Sequence, residues 1–343
     1  MPASVSSHPT KLIDIARQAG VTPAVVSHVL NNRQSTIRVS AQKREAILAI
    51  AKKMEYLPDI NARALRGGAT GMLGVFIDSQ APQIMFQLIQ SLEVHSSGIG
   101  KRLLIGESHE NLETMIKSFR QMNLYGVDGF IIISHDYPDM NREIADFFAH
   151  SPRTVFIGKP FIPGCTHVIP ELGNGIREAI SHLLERGRRR IAKITLKDAK
   201  DCDVLEQNEV FVSESPDGGE LLVPVKYPKV SFDDLRLELR QVIQDIVVPR
   251  KVDAIIAIND TVALLIYHEL LRIGLRVPDD VALVGHDNLP VSQCMLPRLT
   301  TIDMDMDKVA AEAVNAMSQL MQNGTANPAS VFVPSRLVIR EST

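Results

Sequence analysis

LIDIARQAGVTPAVVSHVLNN, residues 12–32, decides how the first part of this chain folds. Leu12, Ile15, Ala16 and Ala19 recur at helical spacing, and Gly20 follows as a residue able to take the left-handed backbone that stops a helix. Thr22 stands where an N-cap belongs, with Pro23 at the first helical position, where a missing N–H costs nothing. The next helix sets Val26, Val29 and Leu30 toward a core and points Ala24, Val25, Ser27, His28 and Asn31 away. The spacing predicts helix, short turn, helix.

A third amphipathic helix follows from Ser40, a good N-cap, with Ile47, Ile50, Ala51 and Met54 as its apolar stripe. Three such helices enclose a small core and leave the second free to lie in a major groove. On that reading Ala24 touches a thymine methyl and His28 donates to guanine or a phosphate, while Thr22, Ser27 and Asn31 hold phosphates. The same pattern also fits a helical hairpin that docks a partner. Charge bears on the choice: residues 1–70 carry 10 Lys+Arg against 4 Asp+Glu, which leaves 27 against 36 for the rest of the chain. A basic head on an acidic body is the footprint of a phosphate contact, the other reading being a solvated basic face. After Tyr56 comes DINARALRGG, residues 59–68, a helix-forming stretch closed by Gly67 and Gly68 and too short to be stable without a packing partner.

The chain has 343 residues, 45% of them hydrophobic, more than one core usually supports. From Met72 onward, strand-like runs alternate with helix-period segments: MLGVFI, then 84–96; RLLIG, then 112–122; DGFIII, then 141–150; TVFIG. The pattern restarts with 173–185, RIAKITL, 233–246, DAIIAI, 261–273 and VALVG. Such alternation demands parallel sheets covered by helices on both faces, and two such halves imply a cleft. Ligands of open α/β sheets sit beyond the carboxyl ends of the strands, which singles out Asp78, Ser134, Lys159, Asn259, Asp260 and Asp287. Asn259 and Asp260 also stand where a helix N-cap belongs, and Asp287 follows what reads as a tight turn at Gly285.

These segments together resemble the lactose-repressor/galactose-repressor (LacI/GalR) transcription factors. LIDIARQAGVTPAVVSHVLNN and VSAQKREAILAIAKKMEYLPDINARALRGG resemble the family's DNA-binding head and hinge in order and spacing. INDTVAL at 258–264, RVPDDVALVGHDN at 276–288 and PRLTTI at 297–302 are the most specific pieces of a body similar to periplasmic sugar-binding proteins. The resemblance implies a helix-turn-helix head over 1–58, a hinge helix and linker over 59–70, and a periplasmic-binding-protein-like core over 71–343. Two doubly wound parallel-sheet subdomains are expected in that core, one of about 71–168 and 303–330, the other of about 169–298 and 331–343. It also implies that Pro23, Ala24 and His28 hold base-reading positions, and that Leu12, Tyr56 and Ala62 belong to the DNA-contacting set. Leu65, with Arg66 beside it, is expected to wedge into the minor groove, the alternative being a buried linker leucine. In the body, the resemblance makes Asn259 and Asp287 hydrogen-bonding partners of effector hydroxyls, with Ser134 and Lys159 beside them.

Three segments depart from the family. NNRQSTIRVS, residues 31–40, is longer than the usual loop and places Arg33 and Arg38 where they add phosphate contacts or simply face solvent. APQIMFQ at 81–87 offers only Phe86 for stacking on a sugar. KDAKDCDVLEQNEVFVSESPDGGE at 197–220 reads as a shortened helix and carries no arginine clamp, which weakens the case for an ordinary monosaccharide.

No GxSxG, P-loop, GxGxxG or HExxH occurs, so neither catalytic residues nor a cofactor are expected. Cys165, Cys202 and Cys294 lack metal or disulfide spacing, and ERGRRR at 185–190 reads as a basic helix end. The longest apolar runs fall short of the roughly 18 residues of a membrane span, and MPASVSSHPTKL lacks the pattern of a secretory leader. The expectation is a cytoplasmic, homodimeric transcriptional regulator, a repressor, with double-stranded operator DNA and a small-molecule effector, sugar or otherwise, as partners. A solute receptor without regulatory output is the competing class, against which the basic head argues.

Overall fold

The computed structural model describes residues 10–30, 38–56, 69–77, 83–107, 112–133, 143, 147, 153–159, 162, 164–197, 202–227, 231–323 and 330–343. The chain divides into two compact units, 1–70 and 71–343.

The first unit contains α1 (Leu12–Ala19), α2 (Pro23–Leu30) and α3 (Ala41–Lys53). Gly20 takes φ 62° and ψ 39°, the left-handed stop its sequence position predicts. The Thr22 carbonyl accepts from the Val25 and Val26 amides, and the Ser40 hydroxyl accepts from the Lys43 amide at 3.3 Å. Ile15, Ala16, Val26, Val29, Ile47 and Ala51 are the buried centre. Val25, expected to point outward, packs partly against that centre, because a helix in a three-helix core buries a wider stripe than its two innermost positions.

In the second unit the strands are β1 (Met72–Ile77), β2 (Arg102–Glu107), β3 (Gly129–Ile133), β4 (Thr154–Ile157), β5 (Thr166–Glu171), β6 (Ile191–Leu196), β7 (Leu222–Val225), β8 (Ala254–Ile256), β9 (Ala282–His286), β10 (Thr300–Asp303), β11 (Ser330–Pro334) and β12 (Arg336–Val338). Its helices are α4 (Ile84–Gly98), α5 (Leu112–Leu124), α6 (Leu172–Glu185), α7 (Cys202–Glu214), α8 (Phe232–Val242, continued by a π turn over Ile243–Val247), α9 (Asp260–Arg272), α10 (Val291–Cys294) and α11 (Met306–Asn323). Two six-stranded sheets result, in the orders β11-β5-β4-β3-β1-β2 and β12-β10-β9-β8-β6-β7. Every pairing is parallel except β10 with β12, an antiparallel edge. GFIII and ALVGH are buried at every position, as strands covered on both faces must be.

The chain passes between the two lobes at Glu171–Leu172, between Asp303 and Met306, and at Ser335. This corrects the expected subdomain boundaries: residues 169–171 complete β5, and residues 331–334 belong to the first sheet, where Val331 pairs with Val168. Segment 197–220, expected to be shortened, holds the full helix α7. Most of the helix expected over 141–150 lies outside the described residues. Lys193 in β6 is 2% exposed, and its ammonium nitrogen donates to Asn208 Oδ1 at 2.9 Å. Burial pulls that lysine down to about 7. No helix among the described residues is long and apolar enough to cross a membrane.

Candidate functional site

The head presents an edge of α2 opposite its core. Thr22, Pro23 and Ala24 are exposed, and Ser27 and His28 lie half-buried on the same face at helical i+3 and i+4 spacing from Ala24. Thr10 Oγ1 donates to the Met54 carbonyl at 2.9 Å and Asp14 accepts from the Lys11 amide at 2.9 Å, so the start of the unit is tied to the end of α3. Leu12 and Tyr56 pack against the apolar centre, which makes both of them supports of the fold. Over residues 10–56 the described part carries seven Lys+Arg (Lys11, Arg17, Arg38, Lys43, Arg44, Lys52 and Lys53) against Asp14, Glu45 and Glu55. Asn31, Arg33, Ala62, Leu65 and Arg66 lie outside the described residues.

In the second unit the carboxyl ends of the two sheets face one another. Lys159, just beyond β4, pairs with Glu206 on α7 and lies 4.0 Å from Asp203. Burial works against the Lys159 charge, but the bond to Glu206 and the two acidic neighbours outweigh it and hold this ammonium above the ordinary lysine range. Gln83, before α4, meets Thr261 on α9 at 3.4 Å. Ser134 and Asp78 lie outside the described residues, and Phe86 is exposed on α4.

Asn259 caps α9: its Oδ1 accepts from the Val262 amide at 2.8 Å, and its Nδ2 donates to the Tyr227 hydroxyl at 3.2 Å. The capping role read from sequence is therefore the one this side chain fills. Asp260 is fully buried and accepts from the Leu289 amide and the Thr301 hydroxyl, both at 2.6 Å. Burial pushes its carboxyl up to about 7, and the neighbouring Asp287 adds to the rise. Asp287 has φ 96°, a left-handed backbone, and its carboxylate meets His286 Nδ1 at 2.8 Å. Gly285 is no turn: it lies inside β9, where a side chain would collide with Asp260. Arg340 steadies the segment after β9, donating to Asn288 Oδ1 at 2.7 Å and to the Leu299 carbonyl.

Glu206, Tyr227, His286 and Arg340 are absent from the residues singled out by sequence. The Glu-Gln-Asn run in α7 gives no apolar stripe to mark it, and pairs that meet across 47 and 32 residues leave no local signal. Among the described residues no group of three or more His, Cys, Asp or Glu side chains could hold a metal ion. What the second unit offers chemically is hydrogen bonding and charge at facing strand ends, the arrangement of a binding cleft.

Comparisons with known proteins agree with both units. Residues 11–59 match the family described as bacterial regulatory proteins, lacI family, and residues 180–343 match the periplasmic binding protein-like domain. The HTH-type transcriptional repressor PurR of Shigella sonnei (strain Ss046) is 27% identical over 335 residues, 96% of this chain and 95% of that protein. PurR of Escherichia coli O139:H28 is similar to the same extent. Among solved structures, the Lac repressor dimer bound to operator and the anti-inducer ONPF superposes with a TM-score of 0.83 at 23% identity, covering 98% of this chain and 99% of that one. The complex of transcriptional regulator CelR with cellobiose gives 0.66 at 22% identity over 97% and 100%.

Proposed function

The chain belongs to the lacI family of bacterial regulatory proteins, and from that premise we propose that it is a sequence-specific repressor whose head grips operator DNA and whose two-lobed body binds a small-molecule effector. The observation that carries this reading is the α2 edge: small, exposed Thr22, Pro23 and Ala24 beside His28, on a unit where cations outnumber acids. Small side chains let the helix backbone approach base edges, and Lys and Arg around them neutralise phosphates. The protein acts as a homodimer, as the solved Lac repressor dimer suggests, and in the cytoplasm, where a regulator of this kind meets its DNA; its symmetry calls for a near-palindromic site.

Selection from a random duplex library, followed by gel-shift titration over a range of salt, tests the reading. A preferred near-palindrome is expected, with affinity falling as salt rises by roughly 0.9 log units per log unit for each phosphate neutralised. Leu65→Ala is expected to lower affinity for that site about tenfold while leaving non-specific binding in place, because only a specific complex rewards a minor-groove wedge. Absence of any sequence-selective, salt-sensitive complex overturns the proposal, and equal loss of both kinds of binding removes the wedge.

For the effector, the body supplies Asp287 at a strand end, with a left-handed backbone and a carboxylate oriented by His286. Backbone strain held in place by its surroundings is a feature of ligand-contacting positions. A thermal-shift screen of sugars and other polar metabolites is expected to yield a stabilising compound whose effect Asp287→Ala abolishes. A hit that shifts wild type and variant alike assigns the contact elsewhere.

A further inference from the structure

We propose that Lys159 and Glu206 form a latch that holds the two lobes together across the cleft, so that the chain itself biases the angle between its lobes before any molecule is seated there. Lys159 follows β4 in the first lobe, whereas Glu206 and Asp203 stand on α7 in the second. The three side chains are 28%, 29% and 30% exposed, so water is partly excluded and the attraction exceeds that of a solvated surface pair.

Position gives the pair its leverage. Glu206 Oε2 takes the lysine, and Oε1 accepts from the Gly173 amide at 3.3 Å, at the start of α6 just past the first passage between lobes. One carboxylate is thus fixed to the joint by one oxygen and to the opposite lobe by the other. Rotation of the lobes about that joint separates Lys159 from a partner that cannot follow it. In the first sheet β4 lies next to β5, which leads into the joint, and β1 lies two strands farther out. The Gln83–Thr261 contact beyond β1 is neutral and long at 3.4 Å, so the charged pair nearer the joint is the stronger of the two.

An equilibrium between lobe angles responds to any change that favours one of them, whether a ligand or a broken bond. The latch favours the approximated lobes in the unliganded chain. Glu206→Gln keeps an acceptor for Gly173 and removes the charge; Lys159→Met keeps the length of the side chain and removes the ammonium.

Spin labels carried by ketone-bearing residues at Glu113 on α5 and Asp233 on α8, both exposed, report the lobe separation while leaving the native cysteines alone. The labelled full-length chain is diluted into unlabelled chain so that distances within one molecule dominate. Lys159→Met and Glu206→Gln are each expected to lengthen and broaden the distance distribution, with no further shift in the double variant. Lys159→Arg is expected to retain the wild-type distribution, and added salt to move wild type, but not Lys159→Met, toward the longer distances. Wild-type distributions in both single variants, or shifts that simply add in the double variant, overturn the latch.

Discussion

Gly285→Ala is expected to destabilise the second lobe by at least about 3 kcal/mol, enough to shift its urea midpoint well below that of the wild type. A Cβ built at Gly285 overlaps Asp260 Oδ1 and comes within 2.6 Å of Leu299 Cδ2. Neither neighbour can yield cheaply. Leu299 is fully buried, and Asp260 is fixed by the Leu289 amide on one oxygen and the Thr301 hydroxyl on the other. Displacing the carboxyl strands two buried donors, adding their unmet hydrogen bonds to the steric cost. The check is a double-mutant cycle: in an Asp260→Ala background the same glycine substitution should cost far less. An unchanged midpoint in the single variant, or equal costs in both backgrounds, would show that the carboxyl is not what forbids a side chain there.

Lys193→Met, by contrast, is expected to stabilise the protein, most at low pH. The native amine loses its proton near 7, whereas in the unfolded chain it holds it to about 10.4. Between those values the unfolded state binds more protons, so wild-type stability attributable to this residue rises with pH and is lowest below 7. Methionine has no such dependence. Two pKa units at about 1.4 kcal/mol each make the advantage of the methionine variant about 2.5 kcal/mol larger at pH 6 than at pH 9. Asn208 Oδ1 keeps the Thr195 hydroxyl as a donor, at 2.9 Å, so the substitution does not orphan it. Urea denaturation at the two pH values measures the difference, and an advantage independent of pH would mean that the buried amine keeps its proton in the folded protein up to pH 9, as it does in the unfolded chain.

The head was legible because its punctuation is local. Gly20, Thr22, Pro23 and Ser40 each act within a turn of their own position, and Ile15, Val26 and Ile47 repeat at helical spacing. The all-apolar strands β1, β3 and β8, and β9, apolar up to His286, were legible for the same reason. What escaped has a physical cause. β5, β7 and β11 contain Pro170, Pro224 and Pro334, residues that argue against a strand when read alone but are tolerated near strand ends and at sheet edges, as β7 and β11 are. Helix α7 has only Gln207 and Phe211 buried, so no apolar stripe announces it. In the cleft, strand ends pointed to Lys159, Asn259 and Asp287, but their partners come from other elements: Glu206 for the lysine, Tyr227 for the asparagine. Gly285 looked like a turn because its reason for being glycine, the Asp260 carboxyl, sits on another element.

Three passages between the lobes mean that neither lobe is a continuous stretch of chain. α11 covers β3, β4 and β5, and β11 supplies the outer strand of the first sheet, yet both are encoded after the whole of β6–β10. On the ribosome, residues 72–171 therefore emerge as an unfinished sheet with one face covered by α4 alone, and must wait for some 160 residues of translation before α11 and β11 complete it. Nonsense or frameshift lesions anywhere before about residue 334 leave both lobes incomplete, so a truncated product retaining an intact first lobe is not available to this architecture.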